Sequence, residues 1–281
     1  MKVSICTATY NQEKFIAQAI DSVINQKVNF DYELIIGEDF STDGTRQIVL
    51  EYQKKFLDKI KLILNKENIG SKNNFNNVYN QCEGEYIAWL DGDDYWTDMN
   101  KLQIQADYLD NNPDCSLCFH DINFFYENGD NPSYLFPFPP LNKDKLTTED
   151  LLQRNFIGSC SVMYRAGCVK KLPDWVFAPI ASDWPINIAY SLKGKLGYIR
   201  ETMSAYRIHS LNEHSSKSTI KIHKEKIKAL IIIDKELNYK YKKIIHQSIL
   251  EAYYIITKEL FKRALPRTFL FVKNLRDILR K

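Results

Sequence analysis

Short apolar runs alternate with amphipathic segments over the first 98 residues. Four of these runs have the length and the β-branched content of strands, and we assign them to residues 3–8, 32–37, 60–64 and 86–90. Between them, apolar residues recur every three or four positions, as in Ile16 to Ile24, and this spacing predicts helices. Strands and helices in this alternation predict an α/β fold with an open, mostly parallel, Rossmann-like central sheet flanked by helices.

Beyond residue 98 the pattern is less regular. We predict, in chain order, a helix over 101–109, a strand over 115–126, a capped helix over 147–153, a strand over 157–164, a helix from Ser182 to 192, two short strands between 196 and 206, and helices over 220–237, 241–261 and 267–279. The proline- and aromatic-rich segment 127–141 is typical either of a lid over a site or of a connection packed on the sheet. The chain changes from mixed to helical near residue 215.

Three carboxylates follow the fourth predicted strand within four positions. Asp91, Asp93 and Asp94 repel one another unless a cation or a proton compensates their charge. A hard divalent cation held by one or two of them, with water and phosphate oxygens as further ligands, would explain the cluster. A solvated acidic turn would explain it equally well. The cluster alone therefore leaves both interpretations open.

Polar residues also follow the other predicted strands. Tyr10 follows the first strand, Asp39 the second, and the segment 68–74 the third. Because ligands bind outside the carboxyl ends of the strands in such a sheet, these residues and the acidic cluster are expected to line one crevice. Neither a Gly-x-Gly-x-x-Gly turn nor a Gly-x-x-x-x-Gly-Lys-[Ser/Thr] loop follows any strand, which disfavours a dinucleotide oxidoreductase and a P-loop enzyme.

Composition and charge limit the binding partners and the location that we expect for this protein. A formal net charge of +3 over 281 residues is too small to indicate a nucleic acid. No apolar run approaches the roughly 20 residues that cross a bilayer, and the N-terminus lacks a signal-peptide pattern, so we expect a cytoplasmic protein. Six cysteines do not indicate a disulfide framework in this chain. Cys115 and Cys118, with His120, fit a buried strand better than a metal motif.

Six segments of the sequence together resemble a known protein family, although no single segment is diagnostic of it. They are, in chain order, residues 3–11, 38–45, 68–70, 84–94, 183–184 and 206–209. Their order and spacing resemble the signatures of inverting family 2 glycosyltransferases with the GT-A fold. Two departures stand out, since Thr7-Ala8-Thr9 replaces the usual proline, and Glu38-Asp39-Phe40-Ser41 replaces the usual Asp-Asp-Gly-Ser.

The resemblance covers residues 1–215 and implies a division of the chain. Residues 1–98 would form the nucleotide-binding half of a GT-A catalytic domain, residues 99–215 the acceptor-binding half, and residues 216–281 a C-terminal helical extension. The donor implied is a nucleotide-diphosphate sugar, with UDP favoured, and the cofactor implied is Mn²⁺ or Mg²⁺.

The resemblance also implies roles for individual residues. Those assigned to the nucleotide are Thr7, Ala8, Tyr10, Asp39, Asn68, Gly70, Asn74, Asp91 and Asp93. Tyr10 would offer its ring to the base, and Asp39 would accept hydrogen bonds from it. Asp94 would ligate the metal directly, with Asp93 behind it.

Two further residues complete the expected site. His209 would be the third protein contact to the metal or the diphosphate, with Arg207 offsetting negative charge; a structural histidine at a strand end is the alternative. Asp183 matches the general base, which would take a proton from the acceptor hydroxyl during inverting attack on the anomeric carbon. The alternative for Asp183 is a helix cap, and the two roles can coexist.

Other interpretations remain open from the sequence. A sugar nucleotidyltransferase would need a glycine-rich basic loop after the first strand, which residues 7–12 do not supply. A sugar-nucleotide-binding protein without catalysis is the second alternative. The acceptor is expected to be a saccharide or a lipid-linked saccharide, in bacterial cell-surface polysaccharide synthesis. The basic segment 267–281 would either contact the inner face of the membrane or pack on the protein or on a second copy of it.

Overall fold

A computed structural model describes residues 1–129, 131–137, 141–177, 183–209 and 218–264. The chain forms two compact units, the first of residues 1–177 and 181–209, and the second chiefly of residues 210–281. The expected domain boundary near residue 215 and the segment 267–281 both lie outside the described residues. No helix in the described ranges is long and apolar enough to span a membrane.

The strands of the first unit form one mixed sheet. They are β1 (Val3–Thr9), β2 (Tyr32–Glu38), β3 (Ile60–Leu64), β4 (Tyr86–Trp89), β5 (Tyr95–Trp96), β6 (Cys115–Tyr126), β7 (Tyr134–Phe136), β8 (Lys145–Leu146), β9 (Met163–Arg165) and β10 (Lys195–Ile208). The main path runs β3-β2-β1-β4-β9-β6-β10-β5, with β7 on β6 and β8 on β10. The first four strands along this path are mutually parallel, as predicted.

Strand direction brings distant segments to one edge of the sheet. β9 is antiparallel to both β4 and β6, so β6 has the direction of β4. β10 is parallel to β6. The carboxyl ends of β1, β2, β4 and β10 therefore lie at the same edge.

The helices cover the sheet or form the second unit. They are α1 (Ile16–Ile24), α2 (Thr45–Lys55), α3 (Ser71–Tyr79), α4 (Lys101–Asn111), α5 (Thr148–Gln153) and α6 (Asp183–Ser191) in the first unit, and α7 (Thr219–Glu236) and α8 (Lys242–Ala264) in the second. All seven residues of β2 are buried, because helices cover both faces of the parallel part of the sheet. In the second unit, α7 and α8 pack through Ile227, Ala252 and Ile256.

The structure corrects two of the predicted elements. Residues 195–208 form one strand, since register shifts near Thr202 let β10 stay paired with β6 along its length. The strand predicted over 157–164 is mostly a 3₁₀ turn, Ser159–Ser161, and only Met163–Arg165 pairs with neighbours. The interpretation of Cys115 and Cys118 is confirmed, because both thiols are free and buried on β6.

Candidate active site

The turn after β4 holds the three carboxylates against the loop that follows β1. Gly92 N–H donates to the carbonyl of Ala8. A Cβ at Gly92 would lie 2.4 Å from Gln12 Oε1 and 2.9 Å from Thr9 Oγ1, so these side chains would have to move. Glycine therefore lets the turn approach this loop without displacing them.

Asp94 is buried beneath the turn. Asp94 is 1% exposed, and its Oδ1 accepts a 2.9 Å hydrogen bond from Arg207 N. Its Oδ2 has no hydrogen-bond partner. Burial raises the pKa of Asp94 well above its usual range, and the charges of Asp93 and Asp91 raise it further. Its Oδ2 is thus a buried acceptor that a cation would satisfy, and the role of Asp94 as a direct metal ligand stays a prediction.

Arg207 fixes the same turn from β10. Its Nε donates to the carbonyl of Asp93 at 3.0 Å, and its two terminal nitrogens donate to Gln18 and Glu127. Its guanidinium lies over the ring of Phe15 at 4.7 Å, and the side chain is 7% exposed. Arg207 therefore acts on the carboxylate turn as a buried anchor.

Asp93 and His209 meet at this edge of the sheet, with side chains that are 14% and 7% exposed. Asp93 Oδ2 lies 3.0 Å from His209 Nε2, and the imidazole packs 4.6 Å from the ring of Phe15. The 3.0 Å separation is the distance of a direct hydrogen bond between the two side chains, and a cation bound there would take its place. The Asp93 carboxylate is a ligand type that suits Mn²⁺ or Mg²⁺, and the His209 imidazole lies beside it. Among the described residues, no group of three His, Cys, Asp or Glu side chains is arranged for a metal, so other ligands would come from water or phosphate.

Asp91 lies beside this pair and is held by two donors. Trp89 Nε1 donates to Oδ1 at 2.9 Å, and the Ser159 hydroxyl donates to Oδ2 at 2.8 Å. Burial, with the charge of Asp93, raises the pKa of Asp91 to about 6 despite these hydrogen bonds. Positive charge bound at the turn would favour the ionised carboxylate.

Asp183 begins α6 and belongs to the same electrostatic environment. Burial raises its pKa to about 7, the charge of Asp91 adds to the shift, and hydrogen bonds from Asn155 and the first-turn backbone oppose it. A carboxyl group with a pKa near neutrality suits a general base. Asp183 is the first residue of α6, and this position is compatible both with a general base and with a helix cap, the two roles expected from the sequence.

Asp39 organises the loop that precedes α3. Its Oδ1 accepts from Ile69 N at 2.9 Å and from the Asn65 amide at 2.9 Å, and its Oδ2 accepts from Gly70 N at 2.9 Å. Gly70 has a φ of 86°, which glycine adopts without strain. Asn74 is 1% exposed and donates to the carbonyl of Gly37 at 2.7 Å, so it supports the loop from below.

The remaining residues expected to bind the nucleotide differ in exposure. Tyr10 is 43% exposed. Ala8 is half-buried, and Asn68 is exposed, with its Oδ1 3.2 Å from Gly70 N. Thr7 is 2% exposed, and its hydroxyl has no hydrogen-bond partner.

Several residues that shape this site were absent from the sequence prediction. Asn65 directly follows β3, so the same strand-end argument that selected Asp39 would have found it. Trp89 and Ser159 carried no such signal, because their contacts with Asp91 depend on how β4 meets the 3₁₀ turn. Phe15 is likewise identified only by its contacts with Arg207 and His209.

The model of the family described as Glycosyl transferase family 2 matches residues 4–172. The chain belongs to glycosyltransferase family 2. An uncharacterized protein of Mycobacterium tuberculosis is 38% identical to this chain over 212 residues, which cover 74% of the chain and 59% of that protein. The chain thus spans about three fifths of the length of that relative.

Solved structures confirm the fold. TarS of S. aureus in complex with UDP-GlcNAc superposes with a TM-score of 0.70 at 20% identity, covering 94% of this chain and 76% of that one. The mannosyltransferase PcManGT of Pyrobaculum calidifontis, in complex with GDP-Man and Mn²⁺, superposes with a TM-score of 0.66 at 15% identity, covering 99% and 80%. The chain therefore has the GT-A fold predicted from its sequence.

Proposed function

We propose that this glycosyltransferase transfers a sugar from a nucleotide-diphosphate sugar, UDP-linked in preference, to an acceptor hydroxyl with inversion and with the aid of Mn²⁺ or Mg²⁺. The observation that carries the proposal is the 3.0 Å approach of Asp93 to His209 at the sheet edge where the loops after β1 and β2 also lie. The UDP-GlcNAc complex of TarS and the GDP-Man and Mn²⁺ complex of PcManGT support donor and metal of these classes.

Each part of the site has a proposed task. Tyr10, Asp39 and the loop held by Asp39 bind the base, with Thr7, Ala8, Asn68, Gly70 and Asn74 around it. Asp91 binds the ribose, and Asp94, Asp93 and His209 bind the cation, whose charge would stabilise the departing diphosphate. Arg207 holds the turn in position.

Asp183 performs the proton transfer in this mechanism. Its ionised carboxylate accepts the proton of the acceptor hydroxyl while that oxygen attacks the anomeric carbon from the face opposite the nucleotide. One displacement forms the new glycosidic bond and breaks the bond to the diphosphate, so the anomeric configuration inverts. The raised pKa of Asp183 means that this base is active above about pH 7.

The acceptor is proposed to be a saccharide or a lipid-linked saccharide of a bacterial cell-surface polysaccharide, reached from the cytoplasm. The family resemblance supports this setting. Self-association is proposed as well, since α8 exposes Leu250, Tyr254 and Phe261.

A donor screen tests the proposal. Nucleotide release would be measured with UDP-, GDP- and dTDP-sugars, with Mn²⁺ or Mg²⁺, and with chelator. We expect release with one donor class, loss with chelator, and loss in Asp183→Asn. Binding without release for every donor and a range of acceptor saccharides would favour a sugar-nucleotide-binding protein without catalysis.

A further inference from the structure

Phe40, the residue after Asp39, has a backbone conformation that is unusual for an aromatic residue. Its φ is 60°, in the left-handed region that favours glycine. The usual family motif has glycine at this position, as noted from the sequence. Glycine would adopt this φ without strain. A strained conformation persists only where the surroundings impose it, and such positions cluster at functional sites.

Burial does not account for the phenylalanine. Its residue is 45% exposed, so much of the ring stays in contact with water. An aromatic side chain that is both strained and exposed contributes little to folding. The strained backbone of Phe40 costs free energy that burial of its ring does not offset. Contact between the ring and a bound ligand would offset it.

The ring is held by the network that holds Asp39. The Arg46 guanidinium lies over the Phe40 ring, 5.2 Å from its centroid. Arg46 in turn donates to the carbonyl of Asn65 at 2.7 Å and to the buried carboxylate of Glu38. Because Asn65 also donates to Asp39, the ring and the Asp39 carboxylate are positioned together.

Phe40 also lies next to the loop that carries Tyr10. Thr9 pairs with Glu38 in the parallel register of β1 and β2, so Tyr10 and Phe40 follow the paired ends of adjacent strands. Asn11 joins the two loops, since its N–H donates to Ser41 Oγ at 3.0 Å and its Oδ1 accepts from Thr42 N at 2.8 Å. Two exposed aromatic side chains are therefore presented on loops that are bonded to each other.

We propose that Phe40 is a second aromatic contact for the nucleobase of the donor, beside Tyr10. This inference rests on the proposed function, because it presumes a nucleotide donor at this edge. Stacking on an aromatic ring strengthens binding of any base, since every base has a flat π face. Such a contact acts on the donor complex and the transition state alike, so it sets the KM for the donor and leaves kcat unchanged.

Phe40→Gly separates this role from a structural one. We expect the Kd for UDP to rise about tenfold, the size of effect typical of losing one base–aromatic stack. The melting temperature should stay equal or rise, because glycine removes the backbone strain. The KM for the donor should rise while kcat at saturating donor stays unchanged.

Three control variants make the test specific. Phe40→Tyr keeps an aromatic ring and should bind UDP within about twofold of the wild type. Phe40→Leu keeps an apolar side chain and the strain but removes the ring, and should lose affinity as Phe40→Gly does. Tyr239→Gly is the matched control, since Tyr239 is also exposed at a φ of 58° but lies between α7 and α8 in the second unit. It should gain stability with no change in UDP affinity.

The outcomes distinguish this inference from the proposed function. If wild-type protein binds UDP and both Phe40→Gly and Phe40→Leu bind it equally well, the inference is overturned and the proposed function stands. If wild-type protein binds none of UDP, GDP and dTDP, the proposed function is overturned and this inference with it. Weaker binding by both variants, with native melting temperatures, supports Phe40 as a base contact.

Discussion

The carboxylates of the turn after β4 differ in what surrounds them. Asp94 faces the protein interior and receives the Arg207 N–H, whereas Asp93 lies against His209 at the crevice. A bound cation would favour the ionised form of either carboxylate, so burial alone does not decide which of them is a metal ligand. We propose both as ligands, with Asp94 also bonded to the backbone of β10.

Replacing each carboxylate by its amide tests this assignment. Asp93→Asn should weaken Mn²⁺ binding by about 10-fold or more, because a charged ligand is lost. Asp94→Asn keeps an oxygen for Arg207 N–H, so stability should not fall, but it removes the buried carboxylate proposed as a ligand, so Mn²⁺ affinity should fall by about 10-fold or more as well. Mn²⁺ titration and urea unfolding would measure both effects. A Mn²⁺ affinity within about threefold of the wild type in Asp94→Asn would leave Asp94 with the task of holding the turn alone.

The raised pKa of Asp183 predicts how transfer depends on pH. Because the base must be ionised, kcat/KM should fall about tenfold per pH unit below about pH 7 and level off above it. Asp183→Asn should reduce kcat by about 10²- to 10⁴-fold while the Kd for UDP stays unchanged. A variant that retains near-normal kcat would show that another group takes the proton.

Strand β10 connects the site across the chain. Through Arg207 and His209, its end binds the turn after β4 by side-chain and backbone hydrogen bonds. The Arg207 side chain also lies between the rings of Phe15 and Phe125, 4.7 and 5.0 Å from the centroids. A shift in the position of β10 would therefore also move Asp93, through its hydrogen bonds with Arg207 and His209.

Arg207→Met tests this connection, since methionine fills similar space without hydrogen-bond donors. We expect unfolding free energy to drop by about 2–4 kcal/mol, because buried acceptors lose their partners, and Mn²⁺ affinity to fall. Arg200→Met is the matched control on the same strand. Its ion pair with Asp144 is exposed, so the change should stay within about 0.5 kcal/mol. Equal urea midpoints for both variants would argue against an anchoring role for Arg207.

The elements set by local pattern were predictable from the sequence. β3 and β6 have the predicted bounds, and β1, β2 and β4 differ from prediction by one residue. The continuity of β10 was not predictable, since it depends on register shifts against β6. The burial of Asp94 was not predictable either, because its partner Arg207 is 113 residues away. Sequence identifies the residue types at the sheet edge, and the fold decides which of them reach solvent.

At the scale of the whole molecule, the chain combines an α/β unit with a second unit that contains α7 and α8. The first unit contains every residue assigned to the donor, the cation and the proton transfer. The second unit consists of α7 and α8 in the described residues, and α8 has basic residues in its last turn, Lys262 and Arg263. This charge is continuous in sequence with the basic segment 267–281.

Vesicle binding tests the membrane contact proposed for residues 267–281. Full-length protein should sediment with vesicles that contain anionic lipid more than a variant that ends at Ala264, and added salt should reduce the difference. Neutral vesicles are the control for apolar binding. Equal sedimentation of both proteins with anionic vesicles would contradict a membrane contact. It would favour packing of residues 267–281 on the protein itself or on a second copy of it.

The long separation in sequence between Asp93 and His209, two of the proposed cation ligands, affects how the protein is made. Asp93 and His209 are 116 residues apart, so the acidic turn leaves the ribosome well before its partner. At roughly 5–20 residues per second, the nascent chain carries unpaired carboxylates for several seconds. With the proposed ligands, cation capture would begin only once β10 has emerged and joined the sheet, which would place it among the last events in the biogenesis of this chain.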